Sequence, residues 1–132
     1  MPTLILKITP PQDAQRCQKL ASALTDLTVE RLGKRRAVTA VVLEELPAGR
    51  WYIGGALPVQ PTAMLEISIT QGTNTPDQKA AFIQAAFAEL QHQLAAGSTL
   101  AEASYVVVRE LPASDWGYGG LTQQARKQAL PA

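Results

Sequence analysis

The chain has 132 residues, which is enough for one domain with a hydrophobic core. Hydrophobic residues make up 46% and charged residues only 17%, a low share that is typical of a surface partly covered by another subunit. The net charge of +1, without a long basic block, argues against a nucleic-acid-binding protein or one held at an anionic membrane. The first residues lack the apolar stretch of a signal peptide, and no apolar run approaches the ~20 residues of a membrane span. With a single cysteine, the composition predicts a cytoplasmic protein.

The first half of the chain predicts a strand, a helix and a second strand. Apolar residues alternate over residues 3–9, which predicts a strand that is mostly buried. The pair Pro10–Pro11 ends this strand and fits the first turn of a helix. Apolar residues then recur at helical spacing from about Asp13 to Leu32, and Gly33 follows as the residue that ends the helix. The stretch from Val38 to Leu46 is rich in β-branched residues and predicts the second strand.

The second half repeats this plan. Residues 64–70 alternate between apolar and polar side chains, which predicts a half-exposed strand. Residues 75–78 read Thr-Pro-Asp-Gln, a capping box with proline at the first helical position, and the helix that it opens runs to Gly97. Ser104 to Leu111 is the next predicted strand. The linker at 58–61 is so short that the two halves must pack side by side.

These elements predict an α/β (α+β) fold made of two tandem β-α-β repeats. The repeats form a four-stranded, mainly parallel sheet with two helices on one face and short extra hairpin strands. We expect one domain in which the first unit spans 1–58, the second spans 61–123, and a polar tail at 124–132 forms a short helix or a frayed end. No helix remains to cover the other face of the sheet, so we expect other subunits to cover it.

One segment occurs twice. Residues 45–55 (Glu-Leu-Pro-Ala-Gly-Arg-Trp-Tyr-Ile-Gly-Gly) return at 110–120 as Glu-Leu-Pro-Ala-Ser-Asp-Trp-Gly-Tyr-Gly-Gly, with seven of eleven positions identical. The identities include proline, tryptophan and a glycine pair, which are the residues least interchangeable in backbone or bulk. One supersecondary unit has therefore been duplicated. Each copy places a tryptophan, Trp51 or Trp116, beside a turn at a strand end, where it can form the wall of a pocket.

Pro2 is a candidate base because it directly follows the initiator methionine. Small second residues permit removal of that methionine, which leaves a proline with a free secondary amine. An ordinary terminal amino group titrates near ~8, and burial disfavours its ammonium form. A pKa near neutrality suits a general base. In the second half the corresponding strand begins at 61–63, inside the chain, where any proline is acylated and has no basic nitrogen.

The chain resembles the tautomerase superfamily in the order of these features. Pro2 is followed by a strand, a long helix, a second strand and the Trp-x-x-Gly-Gly of residues 51–55. The chain is most similar to a fused, double-length member of the 4-oxalocrotonate tautomerase group, over nearly its whole length. Residues 47–55 also resemble the cis-3-chloroacrylic acid dehalogenase branch, and the length is similar to that of malonate semialdehyde decarboxylase. The resemblance implies a homotrimer without a cofactor. It also implies that an amino-terminal proline moves a proton between a 2-hydroxy-dienoate or enolpyruvate and its keto form.

The resemblance assigns the catalytic base to Pro2 and the aromatic wall to Trp51 and Trp116, although tryptophan at either position can also be a core residue. The two arginines with which the family binds a substrate carboxylate are missing from both halves. Their positions are occupied by Gln12, Thr73, Ala40 and Tyr105.

A small carboxylic acid substrate still needs a bidentate donor, for which arginine has the best geometry. Arg109 is the best substitute, because it lies four residues beyond Tyr105 on the same face of its strand. Tyr105 can donate a hydrogen bond to a developing enolate oxygen. Arg16 and Arg50 are weaker candidates, and each of these arginines can also be a solvated or interface residue. Asp115 is out of step with the dehalogenases' glutamate, so hydrolytic dehalogenation and decarboxylation lose support.

Other reactive residues have ordinary interpretations. Cys17 falls in the first helix and is a small core residue, and His92 lies on the polar side of the second helix. One histidine and one cysteine cannot form a common metal site, so we predict none. The basic run at 34–36 follows a helix end, where cations favour the helix dipole.

Three hypotheses of function remain. The first is a tautomerase or isomerase that uses Pro2. The second is a silent trimeric member of the family that acts as a binding protein, and the third is a hydratase or decarboxylase in which Asp115 orients water.

Overall fold

The structure, a computed structural model, describes residues 2–129. The chain forms, in order, β1 (Thr3–Thr9), α1 (Ala14–Leu32), β2 (Ala40–Glu45), β3 (Thr62–Thr70), α2 (Pro76–Leu94), β4 (Tyr105–Leu111), β5 (Gly117–Tyr118), β6 (Leu121–Thr122) and α3 (Gln123–Ala129). The predicted β-α-β plan of each half is confirmed. The second strand begins later than predicted, at Ala40, because residues 36–38 form a short 3₁₀ turn. None of the helices described has both the length and the apolar character needed to cross a membrane.

The four long strands form one sheet in the order β2-β1-β3-β4. The outer pairs, β1 with β2 and β3 with β4, are parallel, as a helical crossover between two strands allows. The central pair is antiparallel, with Thr3 opposite Ser68 and Thr9 opposite Thr62. The start of β1 therefore lies beside the end of β3, so that each end of the sheet combines residues from both halves.

Both long helices pack on one face of the sheet, as predicted. Alternate residues of the two central strands point toward the helices and are fully buried: Leu4, Leu6, Ile8, Leu65, Ile67 and Ile69. Leu20 and Leu24 of α1 and Phe82 and Leu90 of α2 complete the core. Each such side chain contributes about 1.5–3 kcal/mol when it is removed from water, so this layer stabilises the fold.

Local signals set the ends of the two helices. Asp13 caps α1 by accepting a hydrogen bond from the amide of Arg16 at 2.7 Å, so Pro10–Pro11 precede the helix rather than form its first turn. Gly33 ends α1 at a φ of 68°, and its amide donates to the carbonyl of Val29 at 3.0 Å. The predicted capping box of Thr75 and Gln78 opens α2.

The duplicated segment folds into the same turn twice. Gly54 and Gly55 have φ angles of 60° and 79°, and Gly119 and Gly120 have φ angles of 61° and 81°. Two consecutive positive φ values are required by a type I′ hairpin turn, which explains why both copies keep a glycine pair. The second copy forms the paired strands β5 and β6, whereas the first forms a single bridge between Ile53 and Ala56.

The other face of the sheet carries exposed apolar side chains. Ile5 is 38% exposed, Val42 53% and Tyr105 58%, and all three point away from the helices. Neither of the two long helices packs over this face, although Thr9 and Thr62 at one end of it are buried. It is the bare face that the sequence predicts.

Candidate functional site

Pro2 and Pro61 occupy equivalent places in the two halves. Pro2 is buried and precedes β1, and its carbonyl accepts a hydrogen bond from the amide of Ala40 at 3.3 Å. Pro61 precedes β3, and its carbonyl accepts from the amide of Ala101 at 2.9 Å. Because β1 and β3 are antiparallel, the two prolines lie at opposite ends of the sheet.

A cavity of about 500 Å³ opens at the end of the sheet where β1 begins. Thr70 at the end of β3 and Val38 before β2 line it, and these two elements flank Pro2 on either side. Arg35, Arg126 and Lys127 also line this cavity, while no acidic residue does. We call it the cationic cavity.

The tail helix α3 gives the cationic cavity two of its three charges, and Arg126 is the better fixed of them. Its Nη2 and Nε atoms donate to the backbone carbonyl of Tyr118 at 2.7 and 3.2 Å. Its guanidinium carbon lies 3.8 Å from the centroid of the Tyr118 ring, a cation–π arrangement. The β5–β6 hairpin thus holds Arg126 in one orientation.

A second cavity, of about 350 Å³, lies at the opposite end of the sheet. The residues that line it include Pro10 after β1, Trp51 of the first Gly-Gly segment, and Pro61. None of the residues that line it is charged, and we call it the neutral cavity. The two ends of the sheet therefore carry cavities of different electrostatic character, one lined by cations and one without charged residues.

The five residues that the sequence assigns to a site divide between these two ends. The strand register places Arg109 in one row with Ser68 and Thr3, next to Pro2. Trp116 belongs to the same end, since its carbonyl accepts from the amide of Gln123, which lines the cationic cavity. Trp51 lines the neutral cavity, and Tyr105 lies in the row of Lys7, toward the end of β1. A strand of seven residues is about 20 Å long, so one chain does not bring Trp51 and Tyr105 to Pro2.

Several of the predicted residues have local partners. Nη1 of Arg109 lies 3.7 Å from Oε2 of Glu66 on the bare face. The buried indole nitrogen of Trp116 has no hydrogen-bond partner within residues 2–129. Asp115 is exposed and accepts a hydrogen bond from the hydroxyl of Ser114 at 2.8 Å. Arg16 contacts Gln93 of α2, and Arg50 is exposed.

Comparison with known proteins identifies the fold. Residues 2–60 match the family model described as Tautomerase enzyme. A fused 4-OT described as a wild-type symmetric trimer is 26% identical, with a TM-score of 0.83, over 94% of this chain and 98% of that one. A native fused 4-OT is 29% identical, with a TM-score of 0.79, over 93% of this chain and 97% of that one. The first half of the chain therefore matches the tautomerase family, and both halves share the fold of the fused 4-OT structures.

A third similar structure is Pt0534 inactivated by 2-oxo-3-pentynoate, which is 22% identical with a TM-score of 0.82, over 94% of this chain and 98% of that chain. A search of the curated proteins gave no match. The family match covers the half that carries Pro2 and Trp51, and the solved structures extend the likeness over both halves.

Glu110 anchors the loop that borders the cationic cavity. It accepts from Nζ of Lys79 at 2.5 Å and from the amide of Gly72 at 3.1 Å. The hydrogen bond from Lys79, followed by that from Gly72, lowers the pKa of Glu110 below its usual 4.5. Nearby, Lys34 donates to the hydroxyl of Thr73 at 2.8 Å, and burial lowers the pKa of this lysine.

We expect Glu110→Gln to lower the stability of the protein at neutral pH but not in acid. The folded pKa lies below the unfolded one, so the carboxylate stabilises the fold above about pH 4.5, and this contribution is lost as the pH falls through the folded value. Urea unfolding of the wild type and the variant between pH 7 and pH 3 measures the difference. Glu102→Gln, at an exposed position, is the control. A difference that stays constant down to pH 3 would contradict the assignment.

Cys17 occupies the place in α1 that Lys79 occupies in α2, four residues after the helix cap. Burial raises the pKa of its thiol, and the charge and hydrogen bonding of Glu45 raise it further. A thiol that resists ionisation is a poor nucleophile, which agrees with an inert role. Cys17 is only partly buried, however, rather than a full core residue. No group of three or more metal-binding side chains forms among residues 2–129.

Sequence reasoning missed Arg35 and Arg126 as site residues. Arg35 belongs to a basic run whose neighbour Arg36 pairs with Asp26, the role expected for a helix end. Arg126 lies in the polar tail, which carries no motif. Arg35 lies at the end of the sheet that holds Pro2 because β2 runs parallel to β1, whereas Arg126 is brought there by the antiparallel pairing of β1 with β3.

Proposed function

We propose that the protein is a cofactor-independent tautomerase that catalyses keto–enol proton transfer on a small 2-oxo acid, with Pro2 as the general base. One observation carries the proposal: a buried proline precedes the first strand of a tautomerase fold, at the end of the sheet where a cavity is lined by three cations. The burial favours a neutral nitrogen, and the cations favour an anionic substrate.

The reaction needs one group that accepts a proton and returns it. The free nitrogen of Pro2 accepts the proton of the substrate's 2-hydroxyl group, and the resulting pyrrolidinium delivers a proton to carbon, which leaves the 2-oxo acid. Negative charge develops on the enolate oxygen during this exchange and is stabilised by hydrogen-bond donors. Tyr105 and Arg109 are the donors that we propose, and Trp51 and Trp116 are the proposed aromatic walls.

In a homotrimer, the residues proposed for one pocket can come from neighbouring copies of the chain. Trp51 and Tyr105 lie about one strand length from Pro2 of the same chain, so a pocket that uses them all takes residues from a second copy. The bare face of the sheet offers the apolar surface that such an assembly buries. The similar fused 4-OT is a symmetric trimer, which supports the same arrangement here.

The proposal is tested by following ketonisation of phenylenolpyruvate and 2-hydroxymuconate with the purified protein. Intact mass must first show that Met1 is absent, because an acylated Pro2 is no base. The compound 2-oxo-3-pentynoate, which inactivates the similar Pt0534, is expected to abolish turnover and to label the Pro2 peptide. A processed protein that ketonises neither substrate and takes up no label would contradict the proposal.

A silent, ligand-binding family member is the second candidate. One observation favours it: Arg109, the proposed carboxylate ligand, lies within ion-pair distance of Glu66. This alternative predicts that a 2-oxo acid binds without turnover whether or not Met1 is removed. Equilibrium binding measured beside the ketonisation assay separates the two.

A further inference from the structure

We propose that the ion pair between Lys79 and Glu110 is a clamp that positions the substrate against Pro2. The clamp acts through residues 71–73, which join β3 to α2 and line the cationic cavity, and which we call the cavity loop. The inference rests on the proposed function, since it names two positioning residues for that reaction. Neither Lys79 nor Glu110 lines the cavity, so both act through the loop that they hold.

The cavity loop is tied to both long helices. The amide of Gly72 donates to Oε2 of Glu110 at 3.1 Å, and Oε1 of the same carboxylate accepts from Nζ of Lys79 on α2 at 2.5 Å. The hydroxyl of Thr73 accepts from Nζ of Lys34, which follows α1, at 2.8 Å. One carboxylate therefore connects the backbone of the loop to a cation on the helix that comes next in the chain.

Gly72 is the residue of the loop that most needs this support. It has a φ of 80° and no side chain that could hold it in place. Its amide depends on Glu110, whose side chain is 27% exposed, while that of Lys79 is 25% exposed. Salt screens a partly buried pair less than a surface pair, and hydrogen bonds that involve a charged group are stronger than neutral ones. The clamp therefore keeps the loop in one position.

The position of the cavity loop bears on the reaction because of where β3 ends. The loop follows β3 directly, and β3 pairs Ser68 with Thr3, the residue after Pro2. A displaced loop thus changes the wall of the cavity at the end of the sheet that holds Pro2. Proton transfer requires close, aligned atoms, and a misplacement of about 1 Å costs about a hundredfold in rate.

The first half forms its β-α-β unit without such a clamp. Glu45, in the first copy of the duplicated segment, accepts from the amide of Gln12 in the turn after β1. Cys17 takes the place of Lys79, and the ion pairs among residues 2–129 do not include Glu45. The turn contains Pro10–Pro11 instead, whose rings fix their φ angles. The fold alone therefore does not require the charged clamp, which lies at the end of the sheet with Pro2.

Lys79→Met removes the charge and keeps much of the side chain's length. We expect it to lower kcat for ketonisation of phenylenolpyruvate about tenfold to a hundredfold, with a smaller change in KM, because the loop no longer fixes the substrate against Pro2. Lys79→Cys, which introduces the residue of the first half, should cause a similar loss. Lys79→Arg keeps the ion pair and should restore most of kcat. Hydrogen exchange followed by mass spectrometry should show faster exchange of the cavity loop in the Met and Cys variants.

Glu45→Gln is the matched control for Glu110→Gln, because it weakens the corresponding hydrogen bond at the end of the sheet with the neutral cavity. We expect Glu110→Gln to lower both stability and kcat, and Glu45→Gln to lower stability alone. Equal losses of kcat in these two variants, or a wild-type kcat in Lys79→Met, would overturn the inference. Melting curves show whether each variant is folded at the temperature of the assay.

The rate at which 2-oxo-3-pentynoate labels Pro2 separates this inference from the proposed function. Labelling needs a small acid held against the Pro2 nitrogen but needs no ketonisation. If the wild type is labelled but ketonises neither substrate, the proposed function is wrong, while slower labelling of Lys79→Met than of Glu45→Gln still supports the clamp. Equal labelling rates overturn the clamp alone. A wild type that is neither active nor labelled overturns both.

Discussion

Pro2→Ala is expected to lower kcat for ketonisation at least about a hundredfold, because general base catalysis contributes roughly 10²–10⁴ to the rate. The variant keeps a terminal amine but loses the secondary amine of the pyrrolidine ring. The start of β1 keeps its backbone hydrogen bond, since the carbonyl of residue 2 still accepts from Ala40. Steady-state assays with phenylenolpyruvate measure the loss.

Pro61→Ala is the matched control for this experiment. Pro61 has the equivalent backbone contact at the other end of the sheet, but its nitrogen is an amide. We expect this variant to keep wild-type kcat. A similar loss in both variants would indicate a structural effect of proline, and an unchanged kcat in Pro2→Ala would rule out Pro2 as the base.

Phe82→Ala is expected to lower the free energy of unfolding by about 3–5 kcal/mol. Phe82 is fully buried and is the largest such side chain among the described residues. It packs on the same layer as the central strands, and its removal leaves a cavity that the sheet cannot fill by moving. Since domains are stable by about 5–15 kcal/mol, the variant loses a large part of its stability.

Ile83→Ala is the control for Phe82→Ala, because the next residue on α2 points outward and is 38% exposed. Urea unfolding at one protein concentration compares the two, since assembly of subunits makes apparent stability depend on concentration. Equal decreases in the free energy of unfolding for both variants would show that the burial of Phe82 does not stabilise the core more than the exposed Ile83 does.

Much of the fold was predictable because its signals are local. The alternation over Thr3–Thr9 and the capping box at Thr75 each lie within a few residues, and the structure has both as predicted. The predicted start of β2 was wrong by two residues. Residues 36–38 form a 3₁₀ turn, and no local sequence signal distinguishes that turn from the start of a strand rich in valine. The repeat also predicted a turn in each copy, and both glycine pairs have the positive φ angles of a tight turn.

The candidate site was less predictable because it depends on how the two halves pair. Hydrophobic alternation fixes which face of β1 is buried, but not whether β1 and β3 run in opposite directions. That direction decides that Trp116 rather than Trp51 shares an end with Pro2. The position of Arg126 depends in turn on a tail that folds back onto the β5–β6 hairpin.

Pro2 and Pro61 occupy equivalent places in the two halves, so the connectivity of the chain determines which of them can act as a base. A circular permutant that begins at Pro61 would turn that residue into a terminal secondary amine and Pro2 into an internal amide. The sheet would keep its strand pairing, while the free amine would lie at the end of the sheet with the neutral cavity instead of the end with the cationic cavity. The position of the amino terminus, and not the fold, therefore determines which end of the sheet carries a basic nitrogen.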